Sequence, residues 1–463
     1  MTVRLTGPGG ATAPPAALPG DFLRLLLAWF SSLTGDGLRM VALPLLAAWV
    51  SPTPGAVAAV AAFTSLPWLL VAVPAGALVD RMSAVVAIRV AHVVRALCTL
   101  GLVVAVETGW YGIPVLCAFG FVLTAAETFA DGAAQTMIVR IVPQAQLEKA
   151  NTRFAVVETV ALDLVGPLVA GVTFVVAGWI PFALSAAAFA VAAVVVGRIR
   201  AGRTTAEDRV LSSLQRAAAL PTAVPTAPPT DPPTNLPTDL PVGLPTGPRH
   251  RRAAPVRGPL TGEIREGLRR LFADPVLRTL VITVAVLAAA VAAQDGVLVL
   301  YATEDLGLSP ELYPTLLVAM SVGILVTAPF VGRWADRFGQ GPLMVTAIVA
   351  TGSGIVLMGL LPHPVTGWAC YLLIGASGVT WNVLSATRRQ RRTPVEMAAR
   401  VSSAFRVVAF GAAPVGNVLG GVIGHLWGVQ AVFLVAGGAM LVTAACAGRS
   451  FFRPLPPSDS VHG

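Results

Sequence analysis

Long apolar runs alternate with short polar connections along the chain, and one long polar stretch interrupts them near the middle. The runs fall at roughly 22–50, 56–78, 85–106, 112–135, 154–177, 180–198, 276–301, 313–332, 341–361, 366–386, 401–424 and 428–447. About 20 apolar residues suffice for a helix to cross a bilayer. The pattern therefore predicts an all-α membrane protein of twelve transmembrane helices, six on each side of the polar stretch. The first run is longer than a crossing needs, which calls for tilt or interfacial turns.

This divides the chain into a Gly/Pro/Ala-rich tail (1–20), a first six-helix bundle (21–198), a linker (199–260), an interfacial helix (261–275), a second six-helix bundle (276–450) and a final tail (451–463). Residues 221–248 of the linker form a Pro/Thr repeat, too poor in apolar surface to fold. After it, Thr261 is placed to cap a helix with Ile264, Leu268, Leu271 and Phe272 on one face and Arg265, Arg269 and Arg270 on the other. Asp274-Pro275 separates that helix from the seventh span.

Composition supports the class: only 12% of residues are charged, against about 25% in soluble domains. The net charge of +9 does not imply nucleic acid, because the basic residues follow membrane topology. The connections 51–55, 107–111, 178–179, 302–312, 362–365 and 425–427 hold no Lys or Arg, but carry Glu107, Glu304, Asp305 and Glu311. The opposite set holds Arg81, Arg140, Lys149, Arg153, Arg337, Arg388, Arg389, Arg391, Arg392 and Arg400. By the positive-inside rule, both termini and the linker face the cytoplasm of a multi-pass cell-membrane protein. Trp49, Trp110, Trp179, Trp368 and Trp427 fall near the other face, as an aromatic belt would. Cys98, Cys117, Cys370 and Cys446 lie inside apolar runs with no CxxC pair, and the five His are scattered, so no metal site is expected.

The two halves repeat each other. Gly76-Ala77-Leu78-Val79-Asp80-Arg81 ends the second span, and Gly332-Arg333-Trp334-Ala335-Asp336-Arg337 ends the eighth. Asp36-Gly37 in the first span is matched by Asp295-Gly296 in the seventh. Gly166-Pro167 with Gly171 in the fifth is matched by Pro414-Val415-Gly416 with Gly420-Gly421 in the eleventh. Such offsets predict pseudo-symmetric bundles related about an axis along the membrane normal.

The paired Gly-x-x-x-Asp-Arg loops resemble motif A of the major facilitator superfamily. Val165-Gly166-Pro167-Leu168-Val169-Ala170-Gly171 resembles the antiporter motif of its drug-exporting branches. Gly35-Asp36 with Val41-Ala42-Leu43-Pro44, Val142-Pro143 with Leu147 and Ala150-Asn151, Glu263-Ile264-Arg265-Glu266-Gly267-Leu268, and Arg400-Val401 with Arg406 resemble the enterobactin-exporter and macrolide-efflux branch. The resemblance implies a conformational latch at Gly76, Asp80, Arg81, Gly332, Asp336 and Arg337. There the glycines allow close helix approach, and the first carboxylate meets the positive N-terminus of span eleven, near Arg400. The first copy departs from the pattern with Ser83 where a glycine is usual. The Gly166, Pro167 and Gly171 motif would kink span five and let it pack closely.

Charges at membrane depth are costly and mark function. Asp36, Arg39, Glu127, Asp131 and Asp163 are candidates for proton coupling, since a carboxylate taken out of water binds a proton more readily. Arg95, Glu158, Asp295, Asn382, Arg406 and Asn417 are candidates for the cavity and its substrate. Asp36 and Arg39 share a helix face and can neutralise each other. No GxxxxGK[ST] loop, Gly-x-Ser-x-Gly elbow or HExxH pair occurs, so neither ATP drive, catalysis nor a cofactor is expected.

The expected function is secondary active transport: a proton-coupled exporter of an amphipathic small molecule, of antibiotic or siderophore type, working by alternating access in the lipid bilayer. An importer or a lysolipid flippase of the same fold, and a membrane receptor or scaffold without transport, remain alternatives.

Overall fold

The computed structural model describes residues 20–71, 75, 82–143, 146–199, 260–393 and 397–451. Both tails, the linker core and the first Gly-x-x-x-Asp-Arg copy (Gly76, Asp80, Arg81) lie outside the described residues. Among those described, eleven helices are long and apolar enough to cross a membrane, and Pro54–Leu70 is a shorter apolar helix. That helix is the described part of span two.

Span one (Gly20–Val50) is an uninterrupted helix of 31 residues, without the interfacial turns its length suggested. Span three is Ala84–Glu107, span four Ile113–Ile141, and span six Ile180–Gly197. Span eight covers Pro314–Phe338, nine Gln340–Leu360, ten Pro364–Arg392, eleven Ala398–Trp427 and twelve Val429–Phe451. Spans four and ten run past the ends that hydropathy marks, because helical hydrogen bonding continues beyond the apolar stretch. We call the face carrying Arg388, Arg389, Arg391 and Arg392 basic and the opposite face acidic. The starts of spans one, three and five and the ends of spans four and six share an apolar cluster at the basic face, including Phe22, Ala84, Ile138, Phe154 and Val196.

Two spans are irregular, for identifiable reasons. Span five runs Leu147–Glu158, then a π-helical turn Thr159–Val165, then Gly166–Val176. Pro167 has no N–H for the usual carbonyl four residues back, and the Gly166 N–H reaches Ala161 O instead. Span seven (Pro275–Asp295) stops at mid-membrane, turns at Gly296-Val297 and resumes through Leu298–Leu300 and a π-helical turn Tyr301–Asp305. Asp274 caps its start, accepting from Val276 N at 2.8 Å and Leu277 N at 3.0 Å.

The amphipathic helix runs Leu260–Ala273, so Thr261 lies in its first turn rather than capping it. Its inner face holds Gly267 and Leu271, while Phe272 is 46% exposed and does not join that face. The helix docks on the start of span eleven, where a Cβ on Gly267 would strike the Arg400 backbone. Arg400 Nη1 also donates to Glu266 Oε2 at 2.6 Å.

Helix crossings in a membrane are not driven by hydrophobic burial, because lipid is as apolar as the core. Small residues do the work instead. A Cβ on Gly37 would fall 2.6 Å from Leu162 O, and one on Gly166 would fall 2.6 Å from Gly37 Cα, so spans one and five touch backbone to backbone. In the second half, Gly416 and Gly420 of span eleven meet the Ala289 and Ala293 backbone of span seven in the same way. The fold is two six-helix bundles, each crossed at its centre by the matching pair of helices.

Candidate functional site: charges at membrane depth

Span one turns Asp36 and Arg39 into the first bundle, three residues apart. Arg39 Nη2 donates to Asp36 Oδ1 at 3.2 Å and to Glu127 Oε2 of span four at 2.8 Å. Its Nη1 donates to Thr124 Oγ1 at 3.3 Å. Arg95 of span three donates from Nη2 to the same Asp36 Oδ1 and from Nη1 to Ser32 Oγ at 3.0 Å. The Arg95 guanidinium lies 3.9 Å from the centre of the Phe189 ring of span six, a cation–π contact. Two carboxylates and two guanidiniums from three helices thus form one network.

The network is graded by access. Asp36 and Arg95 are 3% and 1% exposed, whereas the Glu127 side chain retains 19%. Asp36 takes two arginines, while Glu127 has one. His92 is buried beside the network, with Nδ1 making no hydrogen bond.

Asp131, Glu158 and Asp163 form no ion pair among the described residues. They continue the wall from Glu127 along spans four and five, where each feels the charge of the next. Asp131 and Asp163 are half-buried and Glu158 is exposed. In the second bundle, Asp295 stands at the break of span seven, beside Tyr371 of span ten and Tyr313. Asn382 and Arg406 are exposed and lie apart from the network. Asn417 is buried between the bundles, and its Nδ2 donates to Ser65 Oγ of span two at 3.1 Å.

Ser32, Thr124 and Phe189 complete the network without any mark in the sequence. They are ordinary residues of apolar runs, and helix facing alone recruits them. Gly35 offered a partial signal: a Cβ there would strike the Phe189 ring at 2.8 Å, which would displace the ring under Arg95.

The bundles meet from the acidic face to mid-membrane. Besides Asn417–Ser65, Trp68 stacks on Phe410 with centroids 5.3 Å apart, and a Cβ on Gly421 would meet Ala58 at 2.7 Å. Gly171 sits equally close to Pro314 of span eight, at 2.7 Å. On the basic face Gly332, Asp336 and Arg337 are exposed. Asp336 has no hydrogen bond or ion pair among the described residues, and a Cβ on Gly332 would meet nothing within 4 Å. The close approach expected at Gly332 is therefore not seen among the described residues. Gly339, two residues beyond Arg337, has φ 84° and turns the chain into span nine. Ser83, its counterpart, has φ −66° and needs no glycine.

A cleft of about 580 Å³ opens at the acidic face among Leu45, Trp49, Phe174, Leu300, Glu304 and Glu311. None of the membrane-depth charges lines it, so it is not the site described above.

Among curated proteins, the chain is 26% identical over 444 residues to the multidrug efflux pump Tap of Mycolicibacterium fortuitum, covering 92% of this chain and 95% of that one. It is 31% identical over 191 residues to the uncharacterized MFS-type transporter y4rN of Sinorhizobium fredii (strain NBRC 101917 / NGR234), spanning 40% of this chain and 45% of that relative. Among solved structures, it superposes on a bacterial homologue of the iron transporter ferroportin in an inward-facing state. There the TM-score is 0.69 and the identity 13%, over 95% of this chain and all of the other. The Major Facilitator Superfamily family model matches residues 25–410 and 280–463. With two crossed six-helix bundles and a charge network inside the first, this chain belongs to the major facilitator superfamily and is a multi-pass membrane transport protein rather than an enzyme.

Proposed function

We propose that the protein is a proton-coupled exporter of amphipathic small molecules in the cell membrane. Its basic face lies in the cytoplasm, and the bundle contacts toward the acidic face, with Asp336 exposed on the basic side, support an inward-open reading. The observation that carries this reading is the Asp36–Arg39–Arg95–Glu127 network. Ionisable groups at membrane depth are retained for ion or proton movement, and here each pairs with a group on another helix. The full-length likeness to a multidrug efflux pump supports export, and the enterobactin-exporter and macrolide-efflux motifs agree with it.

Within the network, Glu127 is the proton-exchanging group. Asp36 is enclosed and held by two guanidiniums, so it serves to fix Arg39 and Arg95. Glu127 has one arginine and keeps part of its side chain exposed, so a proton reaching it releases Arg39 to Asp36 alone. That loosens span four from span one, and cargo binding and proton binding then compete for the same wall. Asp131 and Asp163 relay the proton along spans four and five. As the cycle turns, the acidic-face contacts part and Asp336, with Asp80 at the matching loop, closes the basic face against helix N-termini of the opposite bundle.

The test is transport in proteoliposomes with an imposed pH gradient. E127Q should abolish acceleration by the gradient while leaving cargo equilibration down its own gradient intact. If E127Q retains full pH-driven transport, the assignment is wrong.

A further inference from the structure

The helix Leu260–Ala273 has two faces, and the protein covers only one of them. Gly267 and Leu271 are buried at the start of span eleven. A Cβ on Gly267 would fall 2.9 Å from Arg400 C and 3.0 Å from Ala404 Cβ. Glu266 beside them accepts from Arg400. The opposite face carries Arg265, Arg269 and Phe272, all exposed. Spaced at i, i+4 and i+7, the three share a stripe about 60° wide. Arg278, in the first turn of span seven, is exposed just beyond Asp274. None of these three arginines makes a hydrogen bond or an ion pair among the described residues.

Three guanidiniums without a carboxylate leave a charge to be neutralised from outside the chain. Phe272 distinguishes the sources of the anion. A soluble anion gains nothing from a phenyl ring set among the arginines. A lipid does: the ring enters the acyl boundary while the guanidiniums snorkel up to the phosphates. The helix leads directly into span seven at the basic face, which places it at headgroup depth. The cytoplasmic leaflet is the one that carries anionic lipid, and a guanidinium matches phosphate with a fork of donors.

We propose that the Arg265–Arg269–Phe272 face, with Arg278, docks anionic phospholipid headgroups of the cytoplasmic leaflet, and that the helix passes this anchorage to the start of span eleven. The transmission runs through Gly267, which leaves no room for slip against the Arg400 backbone, and through the Glu266–Arg400 pair. Span eleven also carries Phe410 and Asn417, which meet Trp68 and Ser65 of the first bundle. A helix held by the leaflet therefore bears on the span at which the bundles touch. This goes beyond the exporter reading and shares with it only the cytoplasmic placement of the basic face.

The experiment is binding of pyrene-labelled phosphatidylglycerol and pyrene-labelled phosphatidylcholine to the purified full-length protein in dodecylmaltoside micelles. Energy transfer from tryptophan reads the binding, and the thermal unfolding midpoint is the second readout. An arginine near an anionic surface is worth about fivefold in affinity, so the wild type should prefer phosphatidylglycerol by about tenfold or more. R265Q/R269Q/R278Q should lower that preference by about tenfold or more. R391Q, which removes an exposed arginine of the same basic face outside the site, should leave it within about twofold. Phosphatidylglycerol should raise the unfolding midpoint of the wild type. G267A, with the helix undocked, should keep the lipid preference and lose that gain. An equal loss in R391Q and the triple variant overturns the site in favour of diffuse surface charge. Displacement of the lipid by inorganic phosphate, beyond that caused by chloride at equal ionic strength, overturns it in favour of a soluble-anion site. A triple variant that unfolds earlier than the wild type without phosphatidylglycerol also overturns it, because the arginines would then serve a partner within the chain. A gain in midpoint that survives G267A overturns the transmission to span eleven. Transport enters none of these readouts, so the site and the exporter reading fail separately.

Discussion

Replacing Gly166 with alanine tests whether the crossing of spans one and five holds the first bundle together. A Cβ at 166 would lie 2.6 Å from Gly37 Cα, 2.8 Å from Gly37 C and 2.9 Å from Leu38 N. Carbon atoms rest about 3.5–4.0 Å apart, so the helices must separate by about 1 Å. All three obstructing atoms are backbone, and no side chain can swing aside. Overpacking of this kind costs about 1–3 kcal/mol, and the rigid partners place G166A toward the upper end. Gly438 of span twelve is the control: a Cβ there meets nothing within 4 Å. In a helix interior, Gly→Ala gains up to about 1 kcal/mol, so G438A should stabilise. The two substitutions are chemically identical and should act with opposite sign. Reversible unfolding of the full-length protein in mixed micelles, followed by tryptophan fluorescence, reads both. If G166A proves as stable as G438A, the backbone contact does not carry the crossing and the reasoning fails.

Arg95→Met should cost about 3–5 kcal/mol in the same assay, because it removes a guanidinium from a buried carboxylate; a loss below about 1 kcal/mol would mean that Arg39 alone satisfies Asp36. Glu266→Gln should cost less than about 1 kcal/mol, since its pair with Arg400 is exposed on both sides. Gly267→Ala, one residue on, should instead undock the amphipathic helix, exposing the Gly267–Leu271 face to limited proteolysis. Paired cysteines at Ser65 and Asn417, whose side chains now meet at 3.1 Å, should cross-link on oxidation and stop transport reversibly; continued transport by the oxidised protein would show that this contact need not open.

Hydropathy, loop charge and internal repetition were legible in the sequence because each is a property of the chain in one dimension. A bilayer sorts residues by depth, so apolar length sets spans, and Pro167 fixes an irregularity in span five wherever that helix packs. Asp36–Arg39 was equally readable, since three residues bring side chains to one helix face. The partners of Arg95 were not. Asp36 is 59 residues away and Phe189 lies on yet another helix, and their meeting depends on how each helix is rotated about its axis. Hydropathy carries little information on that rotation when every face of a helix is apolar. Gly332 shows the same limit in reverse: the sequence marks a glycine suited to close approach, but only the fold decides what comes within its reach, and a Cβ there would meet nothing within 4 Å. The sequence by itself determined the number, depth and pairing of the helices, and the doubled acid at positions 36 and 295. Only the tertiary structure decided that Asp36 gains a second arginine, Arg95, while Asp295 has no cationic partner among the described residues, because that cation comes from a span the chain brings alongside only when it folds.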